Sequence, residues 1–138
     1  MIVLDVKKIL EYLRECKVFY MATISGLTPR VRPMSGACVA DGKLWFFMRK
    51  TSELYRELKV NPRVEISALH PDKSWISIRG KLSESDNAEM VRTMWKACRD
   101  DIRDLYGITE EEMAVFSLEG GSVQLKDRIE GSVKRTTC

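Results

Sequence analysis

The chain has 138 residues, 44% of them hydrophobic and 31% charged, with 23 Lys and Arg against 20 Asp and Glu. That is the size and composition of one globular domain, able to bury a core without disulfide or metal staples, and it excludes the disordered and fibrous classes. A net charge of +3 is too small and too evenly spread along the chain to predict a nucleic-acid reader, which concentrates Lys and Arg on one face with a clearly basic balance.

No run of about 18 apolar residues is present, and the N-terminus MIVLDVKKIL meets charge too early for a signal peptide, so a soluble, cytoplasmic protein without membrane contact is expected. Cys16, Cys38, Cys98 and Cys138 are scattered without a CxxC pair, and His70 is the one histidine. That pattern supports neither a structural zinc site nor a disulfide framework, and Cys38 and Cys98 read as small buried hydrophobes.

In chain order, Val6, Ile9, Leu10 and Leu13 recur at i, i+3, i+4 and i+7, which predicts an amphipathic helix from about Asp5 to Cys16. Val18 to Ile24, rich in aromatic and β-branched residues, predicts the first strand, in a hairpin with the strand that follows Thr28-Pro29. From Arg30 the chain reads as a strand, a turn at Asp41-Gly42, a second strand, a cationic loop and a short helix stopped by Asn61-Pro62. Asp-Gly between apolar runs favours a type I′ turn, so Arg32–Ala40 and Lys43–Met48 are expected to pair antiparallel. Pro33 cannot donate to a ladder and marks an edge or an interruption. Arg30 and Arg32 share one face by the period of two, as a ligand wall or as exposed arginines on an edge strand.

Arg49, Lys50, Thr51 and Ser52 stand where the second strand meets a helix N-terminus, a place suited to an anion; a solvated basic turn before a capped helix accounts for this segment equally well. Arg63 to His70 and Ser74 to Ser83 then alternate as half-buried strands, the second carrying Trp75, Ser77, Arg79 and Lys81 on its polar face. Trp75 and Arg79 read as a binding wall, a subunit interface or a snorkelling surface pair. A long helix is predicted from Asp86, as N-cap with Glu89 three residues on, to Tyr106, its Met90, Met94, Trp95, Cys98, Ile102 and Leu105 stripe serving as core. Ala114–Leu118 and Ser122–Ile129, separated by Gly120-Gly121, read as a last hairpin, and the tail from Glu130 as frayed. About seven short strands and three helices, joined mostly by hairpin-length loops, predict one mainly β domain over residues 1–138: an antiparallel barrel with peripheral helices.

Phe19-Tyr20-Met21-Ala22-Thr23, Pro29-Arg30-Val31-Arg32-Pro33, Gly42-Lys43-Leu44-Trp45-Phe46-Phe47, Leu58-x-x-Asn61-Pro62-x-Val64 and Trp75-Ile76-x-Ile78-x-Gly80, in that order from about Asp5 to about Ile129, resemble the pyridoxamine 5′-phosphate oxidase-like FMN-binding split barrels. The resemblance implies a homodimer holding two FMN molecules at the subunit interface. By position, Arg32, Pro33, Met34 and Ser35 would border the flavin ring, and Phe47 with Met48 would lie beneath the ribityl chain. Arg30, Arg49, Lys50, Ser52 and Leu54 would fall toward the phosphate, while Trp75 and Arg79 would line the site from the partner subunit. Glu53-Leu54 and Ala37 stand where family members carry cations, and the Arg-x-His motif near the C-terminus of the oxidase itself is missing, so true pyridoxamine 5′-phosphate oxidase activity is not expected. The implied activity is an FMN-dependent oxidoreductase of small substrates, similar to 5-nitroimidazole and flavin reductases, with reduced nicotinamide or another electron donor. The flavin would supply the hydride chemistry, and backbone N–H groups or Arg32 would stabilise the reduced ring. Two other readings follow: a non-catalytic flavin- or haem-binding protein, with His70 as candidate haem ligand, and a nucleic-acid barrel stacking bases on Trp45 and Trp75, which the weak charge disfavours.

Overall fold

The computed structural model describes residues 5–97, 107–127 and the backbone of residues 133–137. Helix α1 (Val6–Cys16) starts where the Asp5 side chain accepts the Lys8 N–H at 2.9 Å, and it buries Ile9, Leu10 and Leu13. The predicted stripe is therefore its inner face. The rest is one antiparallel sheet crossed by two further described helices: β1 (Phe19–Ser25), β2 (Thr28–Met34), β3 (Ala37–Ala40), β4 (Lys43–Arg49), α2 (Glu53–Val60), β5 (Arg63–Leu69), β6 (Trp75–Ser85), α3 (Ala88–Ala97), β7 (Met113–Lys126) and β8 (Val133–Thr137). The strand order is β2-β1-β5-β6-β7-β4-β3, with β8 paired to β7, and the sheet does not close.

What shapes the sheet is the step from β2 to β3. These strands lie at opposite ends of the order, yet only Ser35 and Gly36 join them. Two residues span at most about 7 Å, so the sheet must curl until its ends nearly meet. This is a split barrel. Phe19 of β1 accordingly packs edge-on against Phe46 of β4, their ring centroids 5.6 Å apart, and α1 packs across β3, β4 and β5. Inside lie Met21, Phe46, Ile66, Ile78 and Phe116; a second apolar cluster, with Trp45, Phe47, Met113 and Val115, lies under Met90, Met94 and Trp95 of α3.

Four expectations change. The segment Arg32–Ala40 is not one strand paired with β4. Its first part, β2, pairs with β1 from Phe19↔Met34 to Ser25↔Thr28, and only Ala37–Ala40 pairs with β4 around Asp41-Gly42, both at positive φ. Pro33 sits on an edge strand, as its missing donor requires. The expected C-terminal hairpin is one continuous strand, β7, in which Gly120 (φ 58) and Gly121 form a bulge opposite Gly80. Helix α3 is capped by Asn87, whose side chain accepts the Glu89 N–H at 2.9 Å, one residue after the expected Asp86; residues 98–106, with Cys98, Ile102 and Leu105, lie outside the described residues. Residues 133–137, read as frayed, pair with β7 from Ser122↔Thr137 to Lys126↔Val133. No helix among the described residues is long and apolar enough to cross a membrane.

Candidate functional site

Where the sheet fails to close, a cavity of about 160 Å³ opens. Arg32, Pro33 and Met34 at the end of β2 form one wall, and Phe47, Met48 and Arg49 at the end of β4 form the other. Leu54 in the first turn of α2, Gly36 of the crossover and Ile108 complete it. The end strand β2 and the strand β4, next to the opposite end of the sheet, thus deliver a mostly apolar slot with an arginine on each side. Gly36 is buried with its Cα against the Phe47 ring, where any Cβ would collide with ring carbons. The bare backbone at this position gives the ring its place.

The two arginines differ in their surroundings. Arg32 donates through Nη1 to the Thr23 hydroxyl (2.8 Å) and the Met21 carbonyl (3.2 Å), and through Nη2 to Glu57 Oε1 at 2.7 Å. Thr23 donates its own hydroxyl proton to the same Glu57 oxygen. Burial by itself pushes the Glu57 carboxyl up, but the hydrogen bonds from Thr23 and Arg32 and the charges of Arg32 and Arg30 outweigh it, and its pKa lies below the usual carboxylate value. Arg49 is exposed at the mouth, its Nη2 within 3.1 Å of where a Cβ on Gly107 would stand.

The loop after Arg49 is ordered by its own groups. Ser52 donates its hydroxyl to the Arg49 carbonyl at 2.7 Å and accepts the Tyr55 N–H at 3.1 Å, while the Lys50 N–H donates to the Glu112 carbonyl at 2.8 Å. Ser52 is therefore the N-cap of α2. The remaining first-turn N–H groups have no intrahelical partner, as at any helix start. Glu53 in that turn suits the helix dipole and opposes a second anion.

Of the residues singled out from sequence, the cavity brings together Arg32, Pro33, Met34, Phe47, Met48, Arg49 and Leu54. Ser35 lies between Met34 and Gly36 in the crossover. Arg30 faces a neighbouring groove with Glu53, Arg56 and Glu57, and Lys50 faces another with Glu84, Asp86 and Glu110. Trp75 and Arg79 stand on the outer face of β6: Lys126 Nζ lies 4.1 Å from the Trp75 ring centroid, and Arg79 Nε donates to Glu65 at 2.7 Å. Gly36, Ile108, Thr23 and Glu57 escaped the sequence reading. A glycine within an apolar run signals close backbone approach, so Gly36 was findable; the other three are recruited across the fold.

His70 Nε2 bonds Glu15, its Nδ1 accepts the Asp72 N–H at 3.1 Å, and the ring stacks on Tyr12 at 4.8 Å. With both nitrogens hydrogen-bonded, the ring pins α1 to the β5–β6 turn. Trp45 is buried, and its indole N–H donates to the Ala40 carbonyl at 2.9 Å, so it offers no face for base stacking. Cys38 is buried, as expected.

A family model described as pyridoxamine 5′-phosphate oxidase like matches residues 5–120. The chain belongs to that family. Solved structures of this pyridoxamine 5′-phosphate oxidase-like fold agree: a NimC/NimA family protein from Clostridium acetobutylicum superposes with a TM-score of 0.88 at 28% identity, covering 97% of this chain and 92% of the other. A pyridoxamine 5′-phosphate oxidase-related, FMN-binding protein from Nostoc punctiforme gives 0.65 at 13% identity, over 96% and 94% of the two chains. A haem-binding protein from Mycobacterium smegmatis gives 0.72 at 15% identity, over 99% of this chain and 60% of that one. The last two likenesses concern the fold alone. No curated protein matches the sequence.

Proposed function

We propose that the protein binds FMN in the cavity at the split of the barrel and acts as an FMN-dependent oxidoreductase of small substrates, with the site completed by a second copy of the chain. The observation that carries this reading is the convergence of β2, β4 and α2 on one slot, apolar along Pro33, Met34, Phe47, Met48 and Leu54 and bordered by Arg32 and Arg49. A flat conjugated ring with an anionic tail fits that chemistry. The cavity volume of 160 Å³ lies below the roughly 300–1,000 Å³ of a ligand pocket, which supports a site that one chain half-builds.

Bound FMN supplies the hydride chemistry. The chain's own residues bind, orient and shield. Phe47, Met48 and Leu54 exclude water from the slot, so that every charge within it acts in a lower dielectric. Arg49, exposed at the mouth beside the α2 terminus, offers charge-assisted hydrogen bonds to a phosphate. Arg32, tied to Glu57, holds the β2 wall against α2. No metal-binding group of three or more His, Cys, Asp or Glu is found among the described residues, and none is needed for this role.

An absorption spectrum of the purified protein, before and after excess FMN with removal of the unbound fraction, tests the reading. About one flavin retained per chain is expected. A haem band, or no retained flavin even after loading, would overturn it.

A further inference from the structure

We propose that Glu57 is a positioning residue that sets the redox poise of the bound flavin by cancelling the charge of Arg32 at the cavity wall; this rests on the FMN reading above. Arg32 lines the cavity, but its guanidinium is committed to a carboxylate. Glu57 Oε1 lies 2.7 Å from Nη2, with side-chain exposures of 23% for Arg32 and 10% for Glu57. Thr23, at 2% exposure, fixes both partners through one hydroxyl, which accepts from Arg32 and donates to Glu57. Arg32, Thr23 and Glu57 come from β2, β1 and α2, so the fold itself brings this negative charge to that arginine. Glu57 shares an open groove with Arg30, Glu53 and Arg56; those three are exposed, where solvent and salt weaken their fields, whereas Glu57 is hydrogen-bonded to Arg32 and Thr23 with its side chain 10% exposed.

The sign of the effect follows from charge balance. Two-electron reduction of FMN with uptake of one proton adds one negative charge to the ring system. An unbalanced arginine at the cavity wall favours that reduced state; an arginine paired with a hydrogen-bonded, half-buried carboxylate does so far less. Glu57 therefore holds the couple low, poised to pass hydride on to an acceptor. Removing its charge while keeping its shape exposes the full field of Arg32.

The test is a titration of the FMN-loaded protein with dithionite as reductant, equilibrated with a reference dye. In Glu57→Gln the affinity for reduced over oxidised flavin should rise about tenfold, an upward shift of about 30 mV for a two-electron couple. Adding Arg32→Gln to that variant should reverse most of the shift, and Arg32→Gln alone should move the potential down. An unmoved potential in Glu57→Gln, or a shift that the double variant keeps, would overturn the proposal while the flavin reading stands. Should the wild-type protein take up no FMN, both fall; should Glu57→Gln not fold, the downward shift of Arg32→Gln decides, and its absence overturns the proposal.

Discussion

Glu57 shows how one carboxylate ties local chemistry to stability. Its pKa is depressed in the fold because donated hydrogen bonds and neighbouring arginines outweigh burial. Between that value and the unfolded value of about 4.3, the unfolded chain binds more protons, so stability rises with pH. The contribution is complete above the unfolded pKa and is lost as pH falls through the folded one. Glu65, held down chiefly by Arg79, and Glu119, held down chiefly by Lys43, titrate in the same sense. Glu57→Gln should therefore lose roughly 1.5–3 kcal/mol near pH 7, the worth of a hydrogen bond to a charged group, and the gap to wild type should shrink as pH drops below about 4. Urea unfolding of both proteins at pH 7 and pH 3.5 measures this, and a gap of constant size would show that the carboxylate's charge is not what matters. Nothing in the sequence announces this residue. Arg56-Glu57 reads as the solvated side of a short helix, and the thirty-four positions back to Thr23 are closed only by the fold.

Among the elements, β7 taught the most about what sequence can carry. Alternation, the Asp-Gly turn and the helical stripes placed most of the described elements, because those signals are local. Gly120-Gly121 gave the right kind of signal, a backbone that leaves ordinary φ/ψ, and the wrong element: a turn and a bulge use the same dipeptide. What decides is the partner strand, since β6 runs eleven residues alongside and continues past Gly80 with two residues of β7 opposing one. Likewise no local signal marked Ser35-Gly36 as a crossover, although it carries the chain from one end of the sheet to the other. The bulge makes two distinguishable predictions. A Cβ on Gly80 would stand 2.7 Å from Leu118 Cδ1 and 3.1 Å from the Glu119 carbonyl, whereas one on Gly120 meets open space but at φ 58. Gly80→Ala should cost about 1–3 kcal/mol through overpacking, and Gly120→Ala about 1–2 kcal/mol through backbone strain alone. Gly120→Asn should recover much of the latter, because Asn tolerates the left-handed region; Gly80→Asn should recover nothing. Midpoints of urea unfolding at constant slope report all of these changes, and equal losses for Ala and Asn at position 120 would rule out strain as the cause.

At the scale of the whole molecule, the sheet leaves one face without a described helix on it. Pairing in register places Pro33, Tyr20, Ser67 and Ser77 in one outward row and Val31, Ala22, Glu65 and Arg79 in the next. Tyr20 and Val31 in those rows are 50% and 68% exposed. The cavity breaks the surface beside this face at Pro33, and Trp75 and Arg79 stand on the same face. A second copy laid on it about a two-fold axis would cover the exposed Tyr20 and Val31 with an identical patch and carry its own Trp75 and Arg79 toward the cavity. Assembly and cofactor uptake should then be linked, since whatever binds only the assembled form stabilises that form. Wild type should sediment at twice the chain mass, with FMN affinity rising with protein concentration through the dissociation range. Val31→Asp, an exposed substitution expected to change the stability of a single chain by no more than about 0.5 kcal/mol, should shift the protein to one chain and lower FMN affinity by more than about tenfold. The two readouts have to move together: a Val31→Asp monomer that still binds FMN as wild type does would place the whole site within one chain, and the small volume of the cavity would need another explanation.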